Sequence, residues 1–417
     1  VTTGDSGSFR DLPLRTRSRP PRIITLRVRR YRALRDIQLE KLSGMTVLIG
    51  PNGSGKSTLF DVFAFLDACF SKGVWAACEE RGGLGDIRSR GTHGPVAVEL
   101  EYREWPPDFG PQGRLLHYQL EVDERDGRPV VSRETLRWKG NPGPGRSRSI
   151  LNFENGQGEV FDEGSGSRRE EALAEPDMLA VNTLGQLKGH PRIEALRRFI
   201  SGWYLSYFSS EEARGVPRSG PQERLTRTAD NLGNVLQYLK QRDPSRLRSV
   251  LGALRDTVPG LERADYETTV DGRLVVLFKD KPFQQPVLSK FASDGTVKML
   301  AYLVLLSDPT PPPFIGIEEP ENQLYHSLLP GLADLCRQAA DRSQVLVTTH
   351  SHEFVNACQP NEVIALYRES DGFTRAVPAA HNPSVRAMLE SGGKLGHLWQ
   401  EGYFDVPRPI TPGETCG

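Results

Sequence analysis

Apolar residues recur along this chain in three rhythms, and each predicts a different kind of element. Met45-Thr46-Val47-Leu48-Ile49, Phe314-Ile315-Gly316-Ile317 and Val345-Leu346-Val347-Thr348-Thr349 are short apolar runs and read as buried strands. Ile23 to Leu34 alternates instead, with Ile24, Leu26 and Val28 on one face and Thr25, Arg27 and Arg29 on the other, so it reads as one strand with Tyr31 and Arg32 near its turn. From about 94 to 161 the strands Val96–Tyr102, His117–Val122, Val130–Trp138 and Ile150–Phe153 are punctuated by Asp126-Gly127 and Asn155-Gly156, the signals of antiparallel hairpins. Further hairpins are predicted at Tyr266–Val270 with Arg273–Phe278, and at Val363–Tyr367 with Phe373–Val377. The third rhythm is helical. Leu59, Phe63, Leu66 and Phe70 are spaced i, i+4, i+7, i+11, and helices are predicted over Arg192–Phe208, Gln222–Gln241, Pro244–Val258 and Val297–Leu306. Lys139–Ser149 and Asp162–Arg169 read as mobile loops, and His381–Phe404 as a short helix with loops.

One stretch sits between a buried strand and the first helix: Gly50-Pro51-Asn52-Gly53-Ser54-Gly55-Lys56-Ser57-Thr58. It fits G-x-x-x-x-G-K-[ST], the P-loop pattern. Glycines there let backbone N–H groups turn around phosphate oxygens, and the helix start adds the positive end of a dipole. In such a loop Lys56 reaches the β/γ-phosphates of a nucleotide and Ser57 offers its hydroxyl to Mg²⁺. The expected fold class is therefore α/β, a P-loop nucleoside triphosphatase core carrying an antiparallel β subdomain and a helical insertion.

Two later strands end in chemistry. Phe314–Ile317 runs into Glu318-Glu319-Pro320-Glu321-Asn322, and adjacent carboxylates at the C-terminal end of a strand suit a Walker B element, one holding the Mg²⁺ shell and the next activating water. Val345–Thr349 runs into His350-Ser351-His352, where a histidine can hydrogen-bond a γ-phosphate or the attacking water. A zinc site is not indicated, because residues 350 and 352 point oppositely on an extended segment and no third ligand follows. Ser293 precedes the apolar helix from Val297 and can cap it, leaving free N–H groups toward an anion; a plain cap without a ligand is the other reading. Gln186 stands at the entry to the helical region, either reading Mg²⁺ and the γ-phosphate or serving as a loop residue. Tyr31 either stacks on an adenine or closes a strand end.

Composition narrows the class. A chain of 417 residues is long enough for two or three compact units. Lys plus Arg equal Asp plus Glu at 53 each, so the molecule as a whole is no polycation. The arm over residues 1–21 is basic, through Arg10, Arg15, Arg17 and Arg19 with Arg22 at its end, and is expected to be disordered, as a solvated tail or a nucleic-acid contact. The five cysteines, 69, 78, 336, 358 and 416, form no C-x-x-C and suit a reducing cytoplasm. No apolar run approaches the ~20 residues of a membrane span, and no apolar signal region opens the sequence.

Taken in order, the P-loop, Ser293-Asp294-Gly295-Thr296, Glu318-Glu319 and His350 resemble the ATP-binding-cassette ATPases of the SMC/RecF/OLD kind, which are often labelled predicted AAA-type ATPases. The resemblance covers most of residues 22–406 and rests on four co-ordered motifs. It implies that Gly50, Asn52, Gly53, Ser54, Gly55, Lys56, Ser57 and Thr58 bind ATP. Ser293, Asp294 and Gly295 would be the signature that one subunit closes over the ATP of another. Ser57 and Glu318 would bind Mg²⁺, Glu319 would be the catalytic base, and His350 the switch histidine. The chain departs from the family in four places: S-D-G-T stands for L-S-G-G-Q, Glu318 for Asp, Tyr325-His326 for His-Pro, and His352 for Pro.

The expected organisation is an arm (1–21), an N-terminal ATPase lobe with the antiparallel subdomain (22–185), a helical insertion (186–262), a C-terminal lobe (263–406) and a tail (407–417). The resemblance implies an ATP-hydrolysing homodimer closed around ATP, cytoplasmic, in DNA repair, chromosome maintenance or anti-phage defence, with DNA or a nuclease or effector subunit as further partners. Arg27, Arg29, Arg30 and Arg32 could give it a basic DNA-facing surface. The main alternative is a low-turnover ATP sensor regulating such a partner. Other readings rank lower. The 235 residues from Thr58 to Ser293 are too many for a transporter cassette, the insertion is too short for an SMC coiled coil, and the 67 residues after His350 hold no D-x-D cluster for a nuclease domain.

Overall fold

The computed structural model of the chain describes residues 19–106, 111–139, 148–162 and 165–406. The tail over 407–417 and the arm, apart from residues 19–21, lie outside the described residues. So do parts of the two segments read as mobile loops; the described remainder includes Arg148–Ser149 and Ser167–Arg169, which are strand.

Two sheets enclose one helix. The first has eight antiparallel strands in the order Leu34–Leu39, Arg22–Tyr31, Val96–Glu104, Arg114–Arg125, Arg128–Lys139, Arg148–Glu154, Gln157–Asp162 and Ser167–Ala172. The expected hairpin turns are present: Asp126-Gly127 and Asn155-Gly156 both have positive φ at both residues, the geometry that matches strand twist. The single strand expected over Ile23–Leu34 is two strands. Arg30 and Arg32 take φ of 59° and 47°, which turns the chain at Arg32-Ala33 and pairs Tyr31 with Leu34.

The second sheet is ordered Tyr204–Ser206, Phe314–Glu318, Gln344–Thr349, Met45–Ile49, Val363–Arg368 and Thr374–Pro378. All but the last strand are parallel. Its three central strands are buried along nearly their whole length, as their apolar runs require. A third sheet joins Leu261–Thr268, Leu274–Asp280 and Val287–Leu288.

The helix Lys56–Ser71 lies between the two large sheets. Phe63 stacks on Phe314 of the parallel sheet at 4.7 Å, while Phe65 meets Tyr31 at 5.6 Å and Phe70 meets Tyr118 at 5.8 Å on the antiparallel sheet. Each buried ring contributes roughly 1.5–3 kcal/mol. Gly316 lets the helix approach: a Cβ there would stand 2.9 Å from Phe60 and 2.7 Å from Leu205.

Residues 186–257 are less helical than their pattern predicts. The helix expected over Arg192–Phe208 ends at Ser201, and Tyr204–Ser206 joins the parallel sheet as its edge strand. Trp203, packed on Phe314 at 5.2 Å, draws the chain there. Of Gln222–Gln241 only the part from Leu232 is helical, because the Asn231 side chain accepts the Thr226 N–H and holds the preceding residues in a turn. Pro244–Thr257 is a helix as expected, capped by Asp243.

A buried carboxyl ties the antiparallel sheet to the chain that leaves it. Glu134 is fully enclosed and accepts from the Tyr118 hydroxyl (2.9 Å) and the Ala180 N–H (2.6 Å). Burial pushes it up to about 7, against the pull of those donors. The folded protein therefore holds this proton more tightly than the unfolded chain. The stabilisation is complete below the ordinary carboxyl value and is lost as pH rises through about 7. Glu134→Gln, which cannot titrate, is expected to flatten melting temperature between pH 5 and 8 relative to wild type. Parallel pH profiles of the two proteins would refute this titration.

Candidate functional site

Four loops meet at the C-terminal edge of the parallel sheet, where ligands bind in open α/β sheets. Ile49 leads into Gly50, with Thr349 level with it on one side and Ala365 on the other. Glu318 is level with Thr348. The P-loop, the Glu318-Glu319 turn, His350 and Arg368 are thus brought together by register alone. They border a cavity of about 280 Å³ lined by Asn52, Gly53, Gly55, Lys56, Ser57, Thr58, Glu319, His350 and Arg368.

The loop's backbone is held from outside. Gly55 has φ 103°, and a Cβ there would stand 2.3 Å from the Thr374 hydroxyl, which itself donates to the Ser54 carbonyl at 2.9 Å. Gly55 leaves the helix Lys56–Ser71 without a side-chain cap, and its first turn contains no acid. Its N–H groups and dipole therefore favour an anion. The Ser54 hydroxyl is buried with no partner. Lys56 is buried and its ammonium donates to the carbonyls of Gly50 (2.8 Å) and Pro51 (3.1 Å). Burial lowers it to about 8, opposed by Glu319, Glu321 and Glu318. A polyphosphate would supply the negative partner that this ammonium otherwise finds only in carbonyl oxygens.

Ser57 and Glu318, the pair expected to bind Mg²⁺, are neighbours: the Ser57 hydroxyl lies near enough to the Glu318 carboxylate to favour its charged form. Burial, helped by Glu319 and Asp61, raises Glu318 against that influence. A carboxylate so placed is stabilised by a cation. Among the described residues no group of three or more His, Cys, Asp or Glu is arranged to hold a metal by itself. The donor set thus fits a hard cation whose shell is completed by phosphate oxygens and water.

The next carboxylate is held at both oxygens. Glu319 Oε1 lies 3.3 Å from His350 Nε2, and Oε2 accepts from Asn322 Nδ2 at 3.0 Å. Its backbone is left-handed, φ 42°, and its N–H donates to the Thr348 carbonyl at 2.9 Å. Glu321 secures the facing loop by accepting from the Thr349 hydroxyl (2.8 Å) and the His350 N–H (2.5 Å).

Other candidates stand apart. Ser293, Asp294 and Gly295 do not line the cavity. They open the helix Asp294–Leu306, with Asp294 paired to Arg214 at 2.6 Å. Ser293 occupies the cap position, yet its hydroxyl makes no capping bond, since its own carbonyl already receives the N–H groups of Thr296 and Val297. Gln186 is exposed, donates to the Asn182 carbonyl at 2.9 Å and does not line the cavity. Tyr31 is fully buried with its hydroxyl on Asp61 at 2.7 Å, so it closes the strand and has no face for a base. The arginines expected to form a basic surface have internal partners. Arg27 pairs with Asp36, Arg29 with Glu99 and Glu121, and Arg32 with Asp61, while Arg30 donates to the Pro95 carbonyl.

Arg368, Glu321, Asn322 and Thr374 had been assigned no part in the sequence reading. Glu321 and Asn322 lay inside the acidic stretch that signalled the site. Arg368 and Thr374 belong to the last hairpin, some 320 residues from the loop that Thr374 supports, and no local pattern marks them.

Residues 45–356 match the family described as "AAA domain, putative AbiEii toxin, Type IV TA system". No curated protein matches the chain by sequence. Among solved structures, an Smc head bound to the C-terminal winged-helix domain of ScpA is similar at 15% identity and a TM-score of 0.52, over 85% of this chain and 96% of that one. A Pyrococcus furiosus Smc head with an extended coiled coil, bound to the C-terminal domain of ScpA, is similar at 13% identity and a TM-score of 0.50, over 89% of this chain and all of that one. At such identities the likeness is one of fold.

The cavity's backbone gives a direct test. Gly55→Ala is expected to weaken nucleotide binding at least tenfold, because the added methyl must displace Thr374. Thr374→Ala, which removes one hydrogen bond worth about 1 kcal/mol, should weaken it less. Titration with a fluorescent nucleotide reads both, and unchanged affinity in Gly55→Ala would show that the loop is not the binding element.

Proposed function

The chain belongs to the AAA domain family that its residues 45–356 match, and from that premise we propose that it is an Mg²⁺-dependent ATP hydrolase which closes as a homodimer around ATP. What supports dimer closure is one observation. Lys56, Ser57, Glu318, Glu319 and His350 meet at one sheet edge, whereas Ser293–Gly295 lies outside the cavity of its own chain. A second copy can bring that segment over the bound nucleotide.

In this reading Lys56 and the N–H groups of the helix Lys56–Ser71 hold the β- and γ-phosphates. Ser57 and Glu318 would hold Mg²⁺, which would neutralise charge on the phosphate oxygens. A water attacks the γ-phosphorus, the bond to the β-phosphate oxygen breaks, and ADP and inorganic phosphate leave. Glu319 takes the proton of the attacking water while His350 keeps its carboxylate turned and faces the γ-phosphate. The Arg368 side chain makes no hydrogen bond or ion pair with the described residues and lines the cavity, so we assign it to the nucleotide's phosphates as well.

The family's description names a toxin–antitoxin system, which favours anti-phage defence over DNA repair or maintenance. DNA, if bound, must meet surfaces other than Arg27–Arg32, and a nuclease or effector subunit is the alternative partner. No described helix is long and apolar enough to cross a membrane. The sensor reading differs from the turnover enzyme in having negligible steady-state hydrolysis without a partner.

Lys56→Ala removes a charged donor and is expected to weaken ATP binding by roughly ten- to a hundredfold, read by titration calorimetry. Glu319→Gln should lower turnover by about 10²–10⁴ and trap the closed form. Light scattering of that variant should report monomer without nucleotide and dimer with Mg-ATP. A monomer that still binds ATP would falsify closure on a second copy. Arg368→Ala should weaken nucleotide binding while leaving the melting temperature unchanged, and unaltered affinity would remove Arg368 from the site.

A further inference from the structure

A buried cation that feels Glu319 from outside the cavity belongs to the helix that begins at Ser293–Gly295. Lys298 is 3% exposed and lies one turn along the helix Asp294–Leu306. Every residue of that helix from Gly295 to Leu306 is buried, so it is seated as a rigid rod. Lys298 Nζ donates to the Asn322 carbonyl at 2.7 Å. Asn322 in turn donates its side-chain amide to Glu319 Oε2 at 3.0 Å. Gly295, on the same helix face three residues earlier, touches this turn too: its Cβ direction meets the Gln323 carbonyl at 3.1 Å.

The turn needs such external support. Glu319 and Gln323 both occupy left-handed backbone, φ 42° and 67°, which costs non-glycine residues energy and persists only where surroundings impose it. Within the turn the Asn322 N–H reaches the Glu319 carbonyl at 3.2 Å, and beyond it the Glu319 N–H reaches Thr348. Lys298 is the one charged donor to the backbone of this turn among the described residues. Burial lowers its ammonium to about 8 against the fields of Glu321 and Glu319, so it sits in a site where a neutral, shorter side chain would leave the carbonyl unmet.

We propose that Lys298 is a positioning residue for hydrolysis: through Asn322 it holds the Glu319 carboxylate in register with His350, and it thereby ties the placement of Glu319 to the seating of the Ser293–Gly295 end of its own helix. The inference rests on the ATPase reading above and deepens it. A second copy's nucleotide pressing on Ser293–Gly295 would act on the same rod that carries Lys298. Closure is then reported to the base through one helical turn, without a change in how ATP itself is held. A base misplaced by about 1 Å loses of the order of a hundredfold in rate.

The test uses the full chain with Lys298→Met, Asn322→Ala and the double variant, beside wild type and Glu319→Gln. Steady-state kcat and KM, nucleotide Kd and melting temperature are measured for each. Each single variant is expected to lower kcat at least tenfold with Kd within about twofold of wild type, and the double variant to be no slower than the slower single, since both act on one carboxylate. Unchanged kcat in Lys298→Met, kcat and Kd lost in parallel, or effects that multiply in the double variant would each overturn the proposal. If Lys298→Met does not fold, Asn322→Ala decides, because its side chain is exposed and the relay cannot survive its loss with kcat intact. Glu319→Gln separates the two levels. A Glu319→Gln enzyme as fast as wild type sinks the base assignment and the relay together, whereas a slow Glu319→Gln beside a normal Lys298→Met sinks the relay alone.

Discussion

Everything at the site depends on the register of one parallel sheet. Ile49 stands level with Thr349 and Ala365, and Thr348 level with Glu318, so four loops from distant parts of the sequence leave one edge at the same height. A slip by one residue would exchange the side chains of the two faces. The strands resist it because all three central ones are packed on both faces, so every exchanged side chain would meet a neighbour of the wrong shape. The same burial that makes the strands apolar makes the edge precise, and the chemistry is left to the first residues beyond it.

The second constraint is the helix Lys56–Ser71, held between two sheets by aromatic contacts on both sides. Its N-terminus cannot move without moving both. Asp61, on this helix, receives Tyr31, Arg32 and Arg81 at 2.7–3.0 Å and so fastens the turn between the first two strands to the helix. That turn hands on the Ala33 carbonyl to the Thr374 N–H, and Thr374 in turn props the P-loop beneath Gly55. The antiparallel sheet is therefore part of the frame that holds the P-loop.

How much of this was legible in the sequence divides along the range of the interactions. Short-range signals were read correctly: the apolar runs, the Asp-Gly and Asn-Gly hairpins, the strand–loop–helix order around Lys56, and the two carboxylates ending Phe314–Glu318. Misreadings arose where a tertiary contact outweighed local propensity. Arg192–Phe208 is amphipathic at helical spacing, yet its last third is recruited as a sheet edge by Trp203 on Phe314. Ile23–Leu34 alternates as one strand, yet two arginines in left-handed backbone fold it back. Tyr31 offered a stacking face in the sequence, and burial removes it. At the site, Thr374 was invisible because its partner Ser54 lies 320 residues away and Arg368 because only folding brings it to the cavity, whereas Asn322 and Glu321 were on view without a reason to separate them from their acidic neighbours.

Charge placement limits what this molecule can recognise at long range. Net charge is zero, and the arginines closest to the first turn are spent on Asp36, Glu99, Glu121 and Asp61, so they fix strands and leave little field outside. The unspent cation on view at the sheet edge is Arg368, inside the nucleotide cavity. Asp294, whose carboxylate would oppose an approaching phosphate, is paired with Arg214. The helix Asp294–Leu306 joins two regions of the chain: Asp294 at its start meets Arg214 of the 186–257 region, while the face at Gly295 and Lys298 bears on the turn that carries Glu319, so the two cannot shift independently.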